Sequence, residues 1–298
     1  DKLAGMSTRE KSMVGASASA KIPELFSPRV FRCLGNGKID FLIRLGDQIG
    51  YPLEPTQELA DYFDKAFKRM EVASARGDFV FRNAVVQKRW LNRHSINTAT
   101  IVSEHRVGRS RADLVLLNGY ATGIEIKSDL DTLSRLQSQI RDYMTVFPQT
   151  IVVSGARHVS EIIKAVPAST GVVELTRRNT LKTLVQPIKN YDLIDSDSMA
   201  ASMSQDEAKK LIAWCGLHLP EVPNTQVWSE IRRVLSGIDR ELLCVGYSAV
   251  LKGSRSKAQF GEYLESLPKS VQTSLLLGSY SKREWDSISK MMARPTEE

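Results

Sequence analysis

Leu59, Tyr62, Phe63, Ala66, Phe67 and Met70 recur at spacings of three and four, which predicts an amphipathic helix over 55–70. Gly77 interrupts it, and Asp78 is placed to cap a second helix running to about residue 91. The texture then changes to β-type runs at 98–107, 112–117, 122–126, 150–153 and 171–175. Between the third and fourth runs, Leu133, Leu136, Ile140, Tyr143, Met144 and Phe147 return to helical spacing. A further short helix fits 158–166. Short turns join the first three strands, so they should be antiparallel. Helices precede the last two, so parallel crossovers fit there. The expected class is α/β, a mixed sheet flanked by helices. After a polar break from Pro187 to Ser204 the pattern is helical to the end. Ser204 with Glu207, and Ser281 with Glu284, each fit a capping box. The expected division is a small-residue, poorly ordered 1–20, an α/β domain over 21–187 that includes N-terminal helices, and a helical C-terminal region over 188–298.

Composition narrows this picture little. The 298 residues are 42% hydrophobic and 25% charged, which excludes wholesale disorder, a collagen-like repeat and a disulfide scaffold. Lys and Arg number 41 against 34 Asp and Glu, a net charge of 41 − 34 = +7, which suits an anionic partner. Cys33, Cys215 and Cys244 are widely separated and form no Cys-x-x-Cys pair, so a reduced, cytoplasmic chain is expected. No apolar run approaches the roughly 20 residues of a membrane helix, so no membrane partner is expected.

Candidate chemistry concentrates between Glu104 and Tyr143. Glu104 lies on the first strand, Asp113 on the second, and Glu125-Ile126-Lys127 on the third. Glu125 and Lys127 are two apart and share a face. A two-residue loop at Gly108-Arg109 pairs Glu104 with Asp113. A three-residue loop at Leu117-Asn118-Gly119, with glycine left-handed, sets Asp113 against Gly123 and diagonal to Glu125. All four groups then share one face. Three clustered carboxylates repel unless protonated or bound to a cation, and oxygen-only ligands suit Mg²⁺ or Mn²⁺. Lys127 beside them can orient a metal-bound water or stabilise charge on a phosphate.

These residues carry a resemblance. Asp113 followed by Glu125-Ile126-Lys127 resembles the PD-(D/E)XK nuclease superfamily, and Gln139-Ile-Arg-Asp-Tyr143 on the next helix resembles the Gln-xxx-Tyr motif of its RecB-like branch. Arg93 to Thr100 and Glu104 to Gly108 look like a little-described bacterial and prophage group within it. The resemblance covers roughly residues 56–180. It implies a restriction-endonuclease-like core. Asp113, Glu125 and the Ile126 carbonyl would be metal ligands, Lys127 the catalytic lysine, and Gln139 and Tyr143 supporting groups. Many members supply an extra acid from the first helix. Here Asn83 stands where one is expected, and Glu104 would substitute from its strand. Asp195 with Glu207-Ala-Lys209 repeats the same spacing in a helix-start context, so spacing alone defines no site.

Charge position then adds to the total. From Arg82 to Arg111 seven bases face the single acid Glu104. Arg89, Arg93, Arg106, Arg109 and Arg111 are the expected contacts to a nucleic-acid backbone. The leading expectation is a metal-dependent nuclease acting on DNA, with RNA sharing the same chemistry. The alternative is a non-catalytic module on the same fold that binds nucleic acid or protein, as a prophage regulator or inhibitor would. The C-terminal region would supply DNA or protein recognition.

Overall fold

The computed structural model describes residues 21–72 and 76–293; the expected disorder of 1–20 lies outside these. The chain divides into two compact units. One holds the residues up to Asn83 together with those from Gln259 onward; the other is Ala84–Ala258. The boundary expected near 187 is therefore corrected. Helices from both chain ends form one unit, and the helices that follow the sheet belong with the sheet.

The first unit is helical. It contains α1 (Pro28–Gly35), α2 (Asp40–Ile49), α3 (Leu59–Glu71), most of α4 (Asp78–Ala84), α11 (Gly261–Ser266), α12 (Lys269–Leu277) and α13 (Lys282–Met292). The apolar stripe of α3 is buried as its spacing requires. Phe26, Phe31, Phe63, Phe67 and Phe79 pack edge-on or stacked around it. The capping box at Ser281 and Glu284 starts α13.

The second unit carries the sheet. A π-helical turn, Val85–Leu91, continues α4 into it. The strands are β1 (Thr100–Val107), β2 (Ser110–Asn118), β3 (Tyr120–Lys127), β4 (Gln149–Ser154), β5 (Gly171–Leu175) and β6 (Leu181–Val185), in spatial order 1-2-3-4-5-6. The first three are antiparallel, β3–β4 and β4–β5 are parallel, and β6 returns antiparallel. The protein is thus α/β with a mixed sheet. α5 (Leu136–Met144) and α6 (Ala156–Ala165) provide the crossovers. Gly123 lies where a Cβ would come within 2.3 Å of the Phe147 ring, so glycine lets that ring close on the strand.

α7 (Ser196–Ala201), α8 (Gln205–Trp214), α9 (Val227–Ser236) and α10 (Arg240–Arg255) follow, and α10 packs against β1, β2 and β3. A buried polar chain fastens this packing. Arg255 Nη1 donates to His105 Nδ1 at 2.8 Å, so His105 carries its proton on Nε2 and donates to Tyr247 Oη at 2.7 Å. Tyr247 Oη lies 2.8 Å from Ser202 Oγ, which donates to the Met199 carbonyl. Arg255 also bridges to Glu207, which caps α8 through Ser204. Asp195 caps α7 through the Ser198 amide. The second Asp-to-Glu-x-Lys spacing is thus spent on helix caps and an ion pair. Among the described residues no helix is long and apolar enough to cross a membrane.

Candidate functional site

Two hairpin turns set the register. Gly108, at φ 57°, starts the β1–β2 turn, and Val107 pairs with Ser110 as the two-residue loop requires. Only the first loop residue has positive φ, the pattern of a type II′ turn. In the second hairpin, Asn118 pairs with Tyr120 around the single residue Gly119 at φ 75°. The odd parity is as expected, but the ladder lies two residues from the expected one. Leu114 pairs with Ile124, so Asp113 falls opposite Glu125 rather than opposite Gly123. Asp113 Oδ2 accepts from the Ile126 amide at 2.7 Å and bridges the two strands at this point.

Glu104 departs from expectation. Its backbone is left-handed, φ 54°, and the β1–β2 ladder is interrupted between Ser103 and His105. Its exposed carboxylate lies 4.0 Å from Arg111 Nη1. Among the described residues no three Asp, Glu, His or Cys side chains form a group able to hold a metal ion. Glu104 therefore does not complete a three-carboxylate set with Asp113 and Glu125. Asn83 is also corrected: it belongs to the helical unit, where its Nδ2 donates to Thr273 Oγ1 at 3.1 Å.

The remaining residues gather closely. Glu125 is 1% exposed and Lys127 7%. Lys127 Nζ lies 2.8 Å from Glu125 Oε1 and donates to Gln139 Oε1 at 2.9 Å. The Tyr143 hydroxyl sits between Glu125 Oε2 and the Arg111 carbonyl. Gln139 and Tyr143 are one helical turn apart on α5, so that helix holds the lysine with one side chain and the glutamate with the other. Burial, followed by the charges of Glu125, Asp113 and Glu104, drives the Tyr143 pKa far upward, so the phenol stays protonated and acts as a donor. Ser110 Oγ donates to Asp142 Oδ2 at 2.6 Å and ties the hairpin to the same helix.

Asp113 and Gln139 line an open cleft of about 840 Å³. Arg106, Arg109 and Arg111 line it from the hairpin, as expected, and Arg135 and Arg141 line it from α5. The last two were missed because they lie outside the basic run. Their placement one before and five after Leu136, which starts α5, is the signal that could have found them. Arg89 and Arg93 are corrected: they line a separate pocket at the opposite end of β2 and β3. Glu125 and Lys127 do not line the cleft.

The α/β unit thus carries a buried Glu-x-Lys pair on its sheet, clasped from one helix beside an arginine-lined cleft. The chain belongs to the bacteriophage P4 protein cII family, whose model matches residues 74–260. That span nearly coincides with the sheet-bearing unit. Protein cII of Enterobacteria phage P4 is 36% identical over 94 residues, covering 30% of this chain and 36% of that protein. The chain thus matches about a third of the length of this curated relative. A solved structure, the SPO1766 protein of unknown function from Silicibacter pomeroyi, overlaps 54% of this chain and 91% of its own at 17% identity. Its TM-score is 0.29, too low for a shared fold to be read from it.

Proposed function

We propose that the chain is a metal-dependent nuclease of the PD-(D/E)XK type, hydrolysing DNA phosphodiester bonds with Mg²⁺ or Mn²⁺. The observation that carries this reading is the joint grip of Gln139 on Lys127 and of Tyr143 on Glu125, next to Asp113 and a cleft with five arginines. Chance spacing does not require such a grip, as the Asp195 and Glu207 pair illustrates.

The donor chemistry fits such an ion. Asp113 and Glu125 lie opposite each other in register, and with the Ile126 carbonyl they offer hard oxygen donors alone. Mg²⁺ keeps several waters, so two carboxylates and a carbonyl are enough. When bound, the ion would supply Lewis acidity and lower the pKa of a coordinated water. The chain's own residues do the rest. Asp113 and Glu125 would hold the ion. Lys127, fixed by Gln139, would position the attacking water and offset charge on the phosphate. Tyr143 holds the Glu125 carboxylate in place. The cleft arginines would hold the backbone on either side of the scissile bond.

One observation favours a second reading. Both Glu125 oxygens are engaged, by Lys127 and by Tyr143, and the pair is buried. A pair held this way can serve structure alone, leaving the arginine cleft as a nucleic-acid-binding surface. Incubation of the full chain with single-stranded, duplex and branched DNA and with RNA, in Mg²⁺, Mn²⁺ or EDTA, separates the two. Metal-dependent cleavage supports the first reading; binding that never leads to cleavage supports the second.

A further inference from the structure

At the other end of β2 and β3 lies a smaller pocket of about 200 Å³, bounded by Arg89, Arg93, His94, Asn118, Tyr120 and Gln149. Its chemistry is one-sided. Arg89 is half-buried on the π-helical turn, and Arg93 follows four residues later. Burial, then the Arg93 charge, lower the Arg89 pKa, and the Tyr120 hydroxyl opposes them. Lys189 lies outside the lining, its Nζ 3.9 Å from the centre of the Tyr120 ring. Asn118 Nδ2 lies 3.4 Å from His94 Nδ1, which leaves the imidazole proton on Nε2 as a further donor.

Two like charges this close, one of them partly withdrawn from water, are unfavourable unless an anion compensates them. Guanidinium groups match phosphate oxygens in pairs. The volume is below the roughly 300–1,000 Å³ that encloses a drug-sized ligand, so it admits a phosphate group rather than a whole nucleotide.

We infer that this pocket binds a phosphate group and is distinct from the Asp113 cleft. Five strand steps from Asn118 to Asp113 put the two about 17 Å apart along β2. The inference does not depend on the nuclease reading. A free phosphorylated molecule, a terminal phosphate and an internal phosphodiester all present the same group.

The test is a titration of the full chain in EDTA with inorganic phosphate, at constant ionic strength against chloride, read by calorimetry and by melting temperature. Saturable binding is expected in the wild type and in Arg109→Gln. It should weaken at least tenfold in Arg89→Gln and in Arg93→Gln. Arg93 is exposed, so that variant tests the site even if Arg89→Gln folds poorly. No saturable effect beyond chloride overturns the inference. Binding that survives Arg93→Gln but is lost in Arg109→Gln also overturns it, because the anion then sits in the cleft. A 5′-phosphorylated trinucleotide and its 5′-hydroxyl twin identify the source. Competition by both indicates an internal phosphodiester, by the first alone a terminal phosphate, and by neither a small free ligand; each supports the site.

Discussion

Tyr143 joins two parts of the candidate site that the sequence separates. Its hydroxyl meets the buried Glu125 carboxylate and the Arg111 carbonyl, so Tyr143→Phe should cost about 1–3 kcal/mol in urea denaturation, the cost of leaving buried acceptors unpaired. His105 acts at the same scale by titration. Burial, then the Arg255 charge, depress its pKa from 6.5 to about 4, with Glu207 opposing. A depressed histidine favours folding fully above its unfolded pKa near 6.5, and this contribution fades as pH falls toward 4. The full loss is roughly 3 kcal/mol at 1.36 kcal/mol per unit. His105→Gln, which keeps one acceptor and one donor, should flatten the stability profile across that window; an unchanged slope would place the titration elsewhere. Among single residues, Asp113, Glu125, Lys127, Gln139 and Tyr143 were legible, because motif and alternation put them on adjoining elements. Glu104 was not. Nothing in a glutamate's surroundings in sequence announces a left-handed backbone, which costs a non-glycine residue energy and is rarely adopted.

The β1–β2–β3 meander and α5 form the element on which the site stands. Gly108 supplies the positive φ of the first turn, so Gly108→Ala should cost about 1–2 kcal/mol and loosen the hairpin that carries Arg109. Gly123→Ala would push a methyl into the Phe147 ring and should cost about 1–3 kcal/mol by overpacking. Melting of both variants checks these values, and a neutral Gly123→Ala would show that the ring can move aside. Hairpin parity was readable from Gly108 and Asn118-Gly119. The exact ladder was not, because a one-residue and a three-residue link give the same parity and differ only by two positions. β6 escaped notice for another reason. It is a half-buried edge strand, and Leu181-Lys-Thr-Leu-Val185 shows no strict alternation. Both capping boxes were legible because their signal is local and involves residues only three apart.

Across the whole molecule, charge and domain division are long-range properties, and there sequence order misled. The run from Arg82 to Arg111 reads as one basic face. In three dimensions Arg89 and Arg93 go to one pocket and Arg106, Arg109 and Arg111 to another. Arg135 and Arg141 join the second group through α5. If the cleft holds a duplex backbone, each of these two arginines replaced by Gln should lower the slope of log K against log salt by up to about 0.9, with little change in sequence preference. The helical unit likewise joins segments from either side of the sheet-bearing unit, which no composition shift near 187 can reveal. The proposed function rests on a metal-dependent carboxylate–lysine site. Its most direct test is the cleavage rate of DNA in Mg²⁺ for the wild type, Asp113→Asn and Lys127→Ala, with each melting curve recorded. Asp113→Asn keeps an acceptor for the Ile126 amide and should retain its fold, whereas Lys127→Ala leaves Glu125 buried without its cation and should lose about 3–5 kcal/mol. Mg²⁺-dependent cleavage by the wild type is expected, with its loss, by at least a hundredfold, in a folded Asp113→Asn that still binds DNA. Cleavage at the wild-type rate by that variant, or none by the wild type with any metal or substrate, would contradict it.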